Sequence, residues 1–171
     1  TAAEPTTRPP GDSVKRQALE DAPIEAYRRA LLDLAMDAAS KMPLVPHLKN
    51  RSRAQHEVGQ AALELNQPRL ALAYLERIDN WRRGALAAEY ALYCVRHDHE
   101  ATVEHYVRLA KAAAELATQD WRRDQIHLTI ARVRLLQGDR ASADAFQDEL
   151  KTDAFRGQIE QTHVESQGDG D

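Results

Sequence analysis

The chain has 171 residues, 43% of them hydrophobic, which suits one domain or one short repeat array with a buried core. Its 23 basic and 27 acidic residues are interspersed and sum to a formal charge of −4, leaving no basic face for nucleic acid or an anionic membrane. The single cysteine, Cys94, excludes an internal disulfide, and no apolar run approaches the ~20 residues needed to cross a bilayer.

The first segment, "TAAEPTTRPPG" (1–11), is built from Pro, Thr and Ala and reads as an extended tether over residues 1–12. It fits a chain that follows a removed signal peptide, a lipid-anchored cysteine or an upstream domain. One helical-repeat domain is expected over 13–162. Its first helix should open near Asp21 or Ala22, because Pro23 suits an early helical position. Ile24, Tyr27, Leu31, Leu34, Ala35 and Ala38 then recur at three- and four-residue spacing and predict an apolar face running to about Ser40. "KMPLVPHLKN" (41–50) breaks the pattern, since the residue before each proline is pushed out of helical geometry.

From Arg51 the sequence divides into three similar units, at about 51–80, 81–120 and 121–155. Each reads as helix, short break, helix, with breaks at "NQP" (66–68), "RHDH" (96–99) and "QGD" (137–139). Such self-similarity predicts stacked helical hairpins, none able to bury its apolar face alone. A capping helix is expected at "DAFRGQIEQT" (153–162), and "HVESQGDGD" (163–171) reads as a frayed acidic tail.

The two tryptophans each open the same tripeptide, "WRR", at Trp81 and Trp121. Asn80 and Asp120 precede them as N-cap residues, so each tryptophan falls in the first turn of a new helix. The expected role is packing at the repeat junction, with both rings buried against the second helix of the preceding unit. The paired arginines oppose the helix dipole and need an offset. Ion pairs with Asp79, Asp120, Asp124 or Glu115 would supply it, and a repeated fork for carboxylates is the alternative.

Gly59, Ala91 and Ala131 stand at matching places in the first helices, and Ala71 and Ala143 follow the breaks "NQP" and "QGD". On these residues the chain resembles the tetratricopeptide-repeat family over roughly 51–155. The resemblance implies an all-α fold, a short right-handed superhelix of antiparallel hairpins with N- and C-terminal capping helices. The small residues would lie where the two helices of a hairpin approach. It also implies a concave groove for a partner peptide or helix. Carried over by position, the groove would present Arg53, His56, Gln60 and Glu64, then Glu89 and Arg96, then Gln125, Thr129 and Arg132.

Cys94, His97, His99 and Glu100 crowd one helix end in "CVRHDHE" (94–100), with His105 further on, and are weak candidates for a metal site. The alternative reading makes Cys94 a small buried hydrophobe and the histidines solvated turn residues. The sequence has no Gly-rich phosphate loop, no nucleophile elbow and no His-Glu-x-x-His. A non-catalytic chain without a cofactor is therefore expected, and the resemblance implies a protein-interaction or assembly module whose partner is a protein or peptide. A purely structural subunit of a larger envelope complex and a metal-binding module are the alternatives. The Pro/Thr leader favours a bacterial periplasm or cell envelope, with the cytoplasm as the other option.

Overall fold

The computed structural model describes residues 18–46 and 48–151. Among these residues there are seven α-helices and no strand: α1 (Ala26–Lys41), α2 (Leu48–Glu64), α3 (Pro68–Leu75), α4 (Arg82–Arg96), α5 (Val103–Glu115), α6 (Asp120–Leu136) and α7 (Arg140–Asp148). The expected tether (1–12), capping helix (153–162) and acidic tail (163–171) lie outside the described residues.

Helices α2, α4 and α6 end in the same way. Asn66, Asp98 and Gly138 take left-handed φ values of 54°, 53° and 78°. The next amide then reaches back into the helix: Gln67 N donates to Ala62 O at 2.8 Å, His99 N to Cys94 O at 2.9 Å, and Asp139 N to Arg134 O at 2.9 Å. This closure satisfies orphan carbonyls of the last turn, and it falls on the residue types that tolerate the left-handed region best. The sequence breaks "NQP", "RHDH" and "QGD" are these three turns. Pro68 then occupies the first turn of α3, where its missing N–H leaves nothing unsatisfied.

Turns this short fold each second helix back on its first, so α2 packs on α3, α4 on α5 and α6 on α7. The first helices also pack on one another, α2 on α4 and α4 on α6, and each second helix touches the next first helix. Central α4 buries Ala85, Leu86, Ala87, Ala88, Tyr90 and Ala91 almost completely. Tyr90 meets Tyr106 of α5 edge to face at 4.6 Å. Arg134 of α6 forms a two-pronged ion pair with Glu104 of α5, which holds the Glu104 carboxyl below its ordinary range.

Four sequence expectations are corrected. Helix α1 begins at Ala26, and Asp21 instead caps another helix: its Oδ1 accepts from Arg69 N at 2.7 Å and Leu70 N at 3.4 Å, at the start of α3. The buried stripe of α1 is Leu32, Met36 and Ala39, whereas Tyr27, Leu31 and Leu34 face outward. The helix carries two apolar stripes, and α2 covers only one of them. Helix α2 starts at Leu48 and not at Arg51, because nothing after Pro46 prevents the first turn from closing. Finally, Gly59 does not mark the approach of two helices within one hairpin. A Cβ there would lie 2.5 Å from Leu86 Cδ2, on the first helix of the next unit. Gly84 serves the intra-hairpin contact, where a Cβ would lie 2.2 Å from Ala113 Cβ on α5.

Candidate functional site

The N-terminal turns of α4 and α6 place the two WRR tripeptides side by side. The Trp81 and Trp121 rings meet edge to face, centroids 5.3 Å apart at 85°. Within each tripeptide the arginines divide the same two roles. The first makes cation–π contacts with indole: Arg82 lies 4.8 Å from the Trp81 ring, and Arg122 lies 5.7 Å from Trp81 and 5.2 Å from Trp121. The second pairs with acid: Arg83 with Glu76 at 2.8 Å and Arg123 with Asp120 at 3.2 Å.

Of the acids expected as partners, Asp120 takes that role, and Asp79 pairs with Arg51. Asn80 lies one residue before the N-cap of α4, which is Trp81, although its Oδ1 accepts from Arg82 N at 3.0 Å. Asp120 is not an N-cap either; it is the first residue of α6, after the N-cap Gln119.

The tryptophans are not buried in equivalent places. Trp81 is half-buried against the core, whereas Trp121 stands 41% exposed and donates its indole N–H to Gln119 Oε1 at 2.8 Å. Trp121 turns toward Trp81 and the start of α2, because the first turns of α2, α4 and α6 lie together. Lys49 lines the same cavity. Counting back equally from Gly59, Ala91 and Ala131 lands on Lys49, Trp81 and Trp121, a signal already present in the sequence.

The proposed groove residues divide between two environments. Gln60, Glu64, Glu89, Arg96 and Arg132 line one open cavity of about 550 Å³ together with Asn66, Tyr93 and His97. Glu64 and Arg96 are exposed there, and the other three are half-buried. Arg53 is exposed on α2 but lies outside this cavity. Gln125 and Thr129 are half-buried on α6, also outside it, with the Thr129 hydroxyl donating to Gln125 O at 3.1 Å.

His56 is a correction: it is 2% exposed and presents nothing to a groove. Arg82 Nη1 donates to His56 Nδ1 at 3.2 Å, and His56 Nε2 lies 2.9 Å from Glu89 Oε2. Gln60 Nε2 donates to Glu89 Oε1 at 2.9 Å. An arginine can only donate, so this order assigns the Nε2–H tautomer to His56. A continuous chain of hydrogen bonds, Arg82, His56, Glu89, Gln60, thus runs along the face shared by α2 and α4.

Cys94, His97 and His99 do not converge. Cys94 is fully buried, with its sulfur 3.7 Å from Thr102 Oγ1, and burial pushes its thiol pKa up. His97 stacks on Tyr93 at 3.9 Å on the exposed side of α4. Among the described residues no three His, Cys, Asp or Glu side chains are grouped to hold a metal ion. No helix among them is long and apolar enough to cross a membrane.

No family model, curated protein or solved structure matches the chain.

Proposed function

We propose that this chain is a non-catalytic protein-interaction module, a short tetratricopeptide-like superhelix that holds a partner peptide or helix along α2, α4 and α6. The observation that carries the reading is the clustering of Gln60, Glu64, Glu89, Arg96 and Arg132 around one open cavity. These five side chains come from three helices and mix both charges. Such a lining suits a polar, partly charged peptide better than an apolar one. Two of them are already oriented, since Gln60 and His56 hold the Glu89 carboxylate from both oxygens. Preorganised polar groups reduce the ordering cost of binding.

The test is capture of partners from native lysate by the wild type and by Arg96→Glu, with thermal melting of both. Arg96 is exposed, so the reversal should leave melting unchanged while weakening capture by about 1–3 kcal/mol. Equal capture by both would remove the groove from the account.

A second reading, a structural subunit of a larger complex, has one observation in its favour. Tyr27, Leu31 and Leu34 of α1 are 60%, 58% and 66% exposed at helical spacing, an apolar stripe with no cover among the described residues.

A further inference from the structure

A cavity of about 340 Å³ opens where the first turns of α2, α4 and α6 meet, a size within the usual range for small-ligand sites. Its lining is unusual for this chain. Lys49, Arg82 and Arg122 bring three cations, Trp81 and Trp121 bring both tryptophans, and Pro46 and Leu48 add apolar wall. No carboxylate among the described residues lines it.

Several arginines elsewhere are held by acids: Arg51 pairs with Asp79, Arg77 with Asp37, Arg83 with Glu76 and Arg134 with Glu104. Arg122 has no acid and no hydrogen-bond acceptor among the described residues, and its Nε is buried without one. Arg51 and Arg83 also leave Nε unsatisfied, but each engages an acid through its other nitrogens. Among the described residues the Arg82 side chain finds the acceptor His56 Nδ1 and no acid. Burial, with the nearby charges of Arg53 and Arg122, lowers the Arg82 pKa against the opposing pull of Glu57 and Glu89.

The cation–π contacts of Arg122 with the two indoles leave its guanidinium N–H donors without an oxygen acceptor among the described residues, and a guanidinium fork suits a two-pronged oxyanion. A buried donor without an acceptor is unfavourable, and three cations at the first turns of helices oppose the helix dipoles as well. A bound oxyanion relieves both. We propose that this cavity binds an oxyanion, a carboxylate or a phosphate monoester, on a small ligand whose apolar part lies against Trp81 and Trp121. The proposal does not depend on the groove, because the two cavities share no lining residue.

Both tryptophans of the chain line the cavity, so their indole N–H resonances report on it directly. The full chain is titrated with benzoate, phenyl phosphate and neutral benzamide while those two resonances are followed. Saturable shifts with an anion and none with benzamide are expected, with binding weakened by added salt. Saturation by only one of the two anions supports the proposal and assigns the carboxylate or the phosphate class. Arg122→Gln should weaken binding about tenfold. Lys49→Gln, at an exposed position that cannot disturb the core, should weaken it in the same direction. Absence of saturable shifts with both anions, equal shifts with benzamide, or undiminished binding by Lys49→Gln and a natively melting Arg122→Gln would each overturn the proposal.

Discussion

Trp81 and Trp121 touch each other edge to face, and through this contact the first turns of α4 and α6 are joined. The two rings are unequal partners, one half-buried and one 41% exposed. Trp81→Ala should therefore destabilise by about 2–3 kcal/mol and Trp121→Ala by about 1 kcal/mol, below the range for fully buried aromatics. A double-mutant cycle read by denaturant melting should return a coupling of about 0.5–1.5 kcal/mol. Additive effects would show that the contact contributes nothing beyond the area it covers.

Close approach at glycine gives a second pair of outcomes. Gly59→Ala meets the end of a leucine side chain, which can move, and should destabilise by about 1 kcal/mol. Gly84→Ala meets Ala113 Cβ, which is fixed to the α5 backbone, and should destabilise by about 3 kcal/mol. Adding Ala113→Gly should recover most of the second loss. If Gly84→Ala melts like the wild type, α4 and α5 do not approach as described.

The left-handed turn positions should answer in opposite directions. Asp98→Gly relieves a non-glycine residue at φ 53° and should stabilise by up to about 1 kcal/mol. Gly138→Ala, at φ 78°, should destabilise by about 1 kcal/mol although a Cβ there meets nothing. Asn66 is less clean, since its Oδ1 also accepts from the Tyr93 hydroxyl at 3.1 Å. Chemical denaturation of the two variants checks the signs.

His127 links stability to pH. It is buried against Phe146 with Nδ1 3.2 Å from Glu149 Oε2, and burial lowers its pKa from 6.5, aided by Arg123 and Lys111 and opposed by Glu149 and Asp124. The unfolded chain then takes up this proton more readily than the folded one. The contribution is present above pH 6.5 and is lost as pH falls through 6.5 toward the folded value. Between about pH 7.5 and about pH 5.5 the melting temperature should fall less steeply in His127→Gln than in the wild type. Parallel curves would remove His127 from the pH response.

The helices and their breaks were legible because local chemistry decides them. Asn66, Asp98 and Gly138 are of the types that best tolerate a left-handed helix end, and Pro68 is of the type best suited to a first turn. What was not legible depended on which helix lies opposite. Leu31 and Leu32 are adjacent, and periodicity alone could not say which of their stripes α2 would cover. His56 reads as an exposed polar residue until Glu89 and Arg82 arrive from α4 to satisfy both ring nitrogens. Gly84 was passed over because its need for smallness lies in Ala113, on the other helix of the hairpin.

Site-specific photo-crosslinking in native cells tests most directly the proposed binding of a partner along α2, α4 and α6. A photoreactive residue at exposed Glu64 or Arg96 should crosslink to the partner, whereas one at exposed Lys111 on α5 or Leu31 on α1 should not. Crosslinks from Leu31 with none from Glu64 and Arg96 would contradict the account and identify the α1 stripe as the contact of a structural subunit.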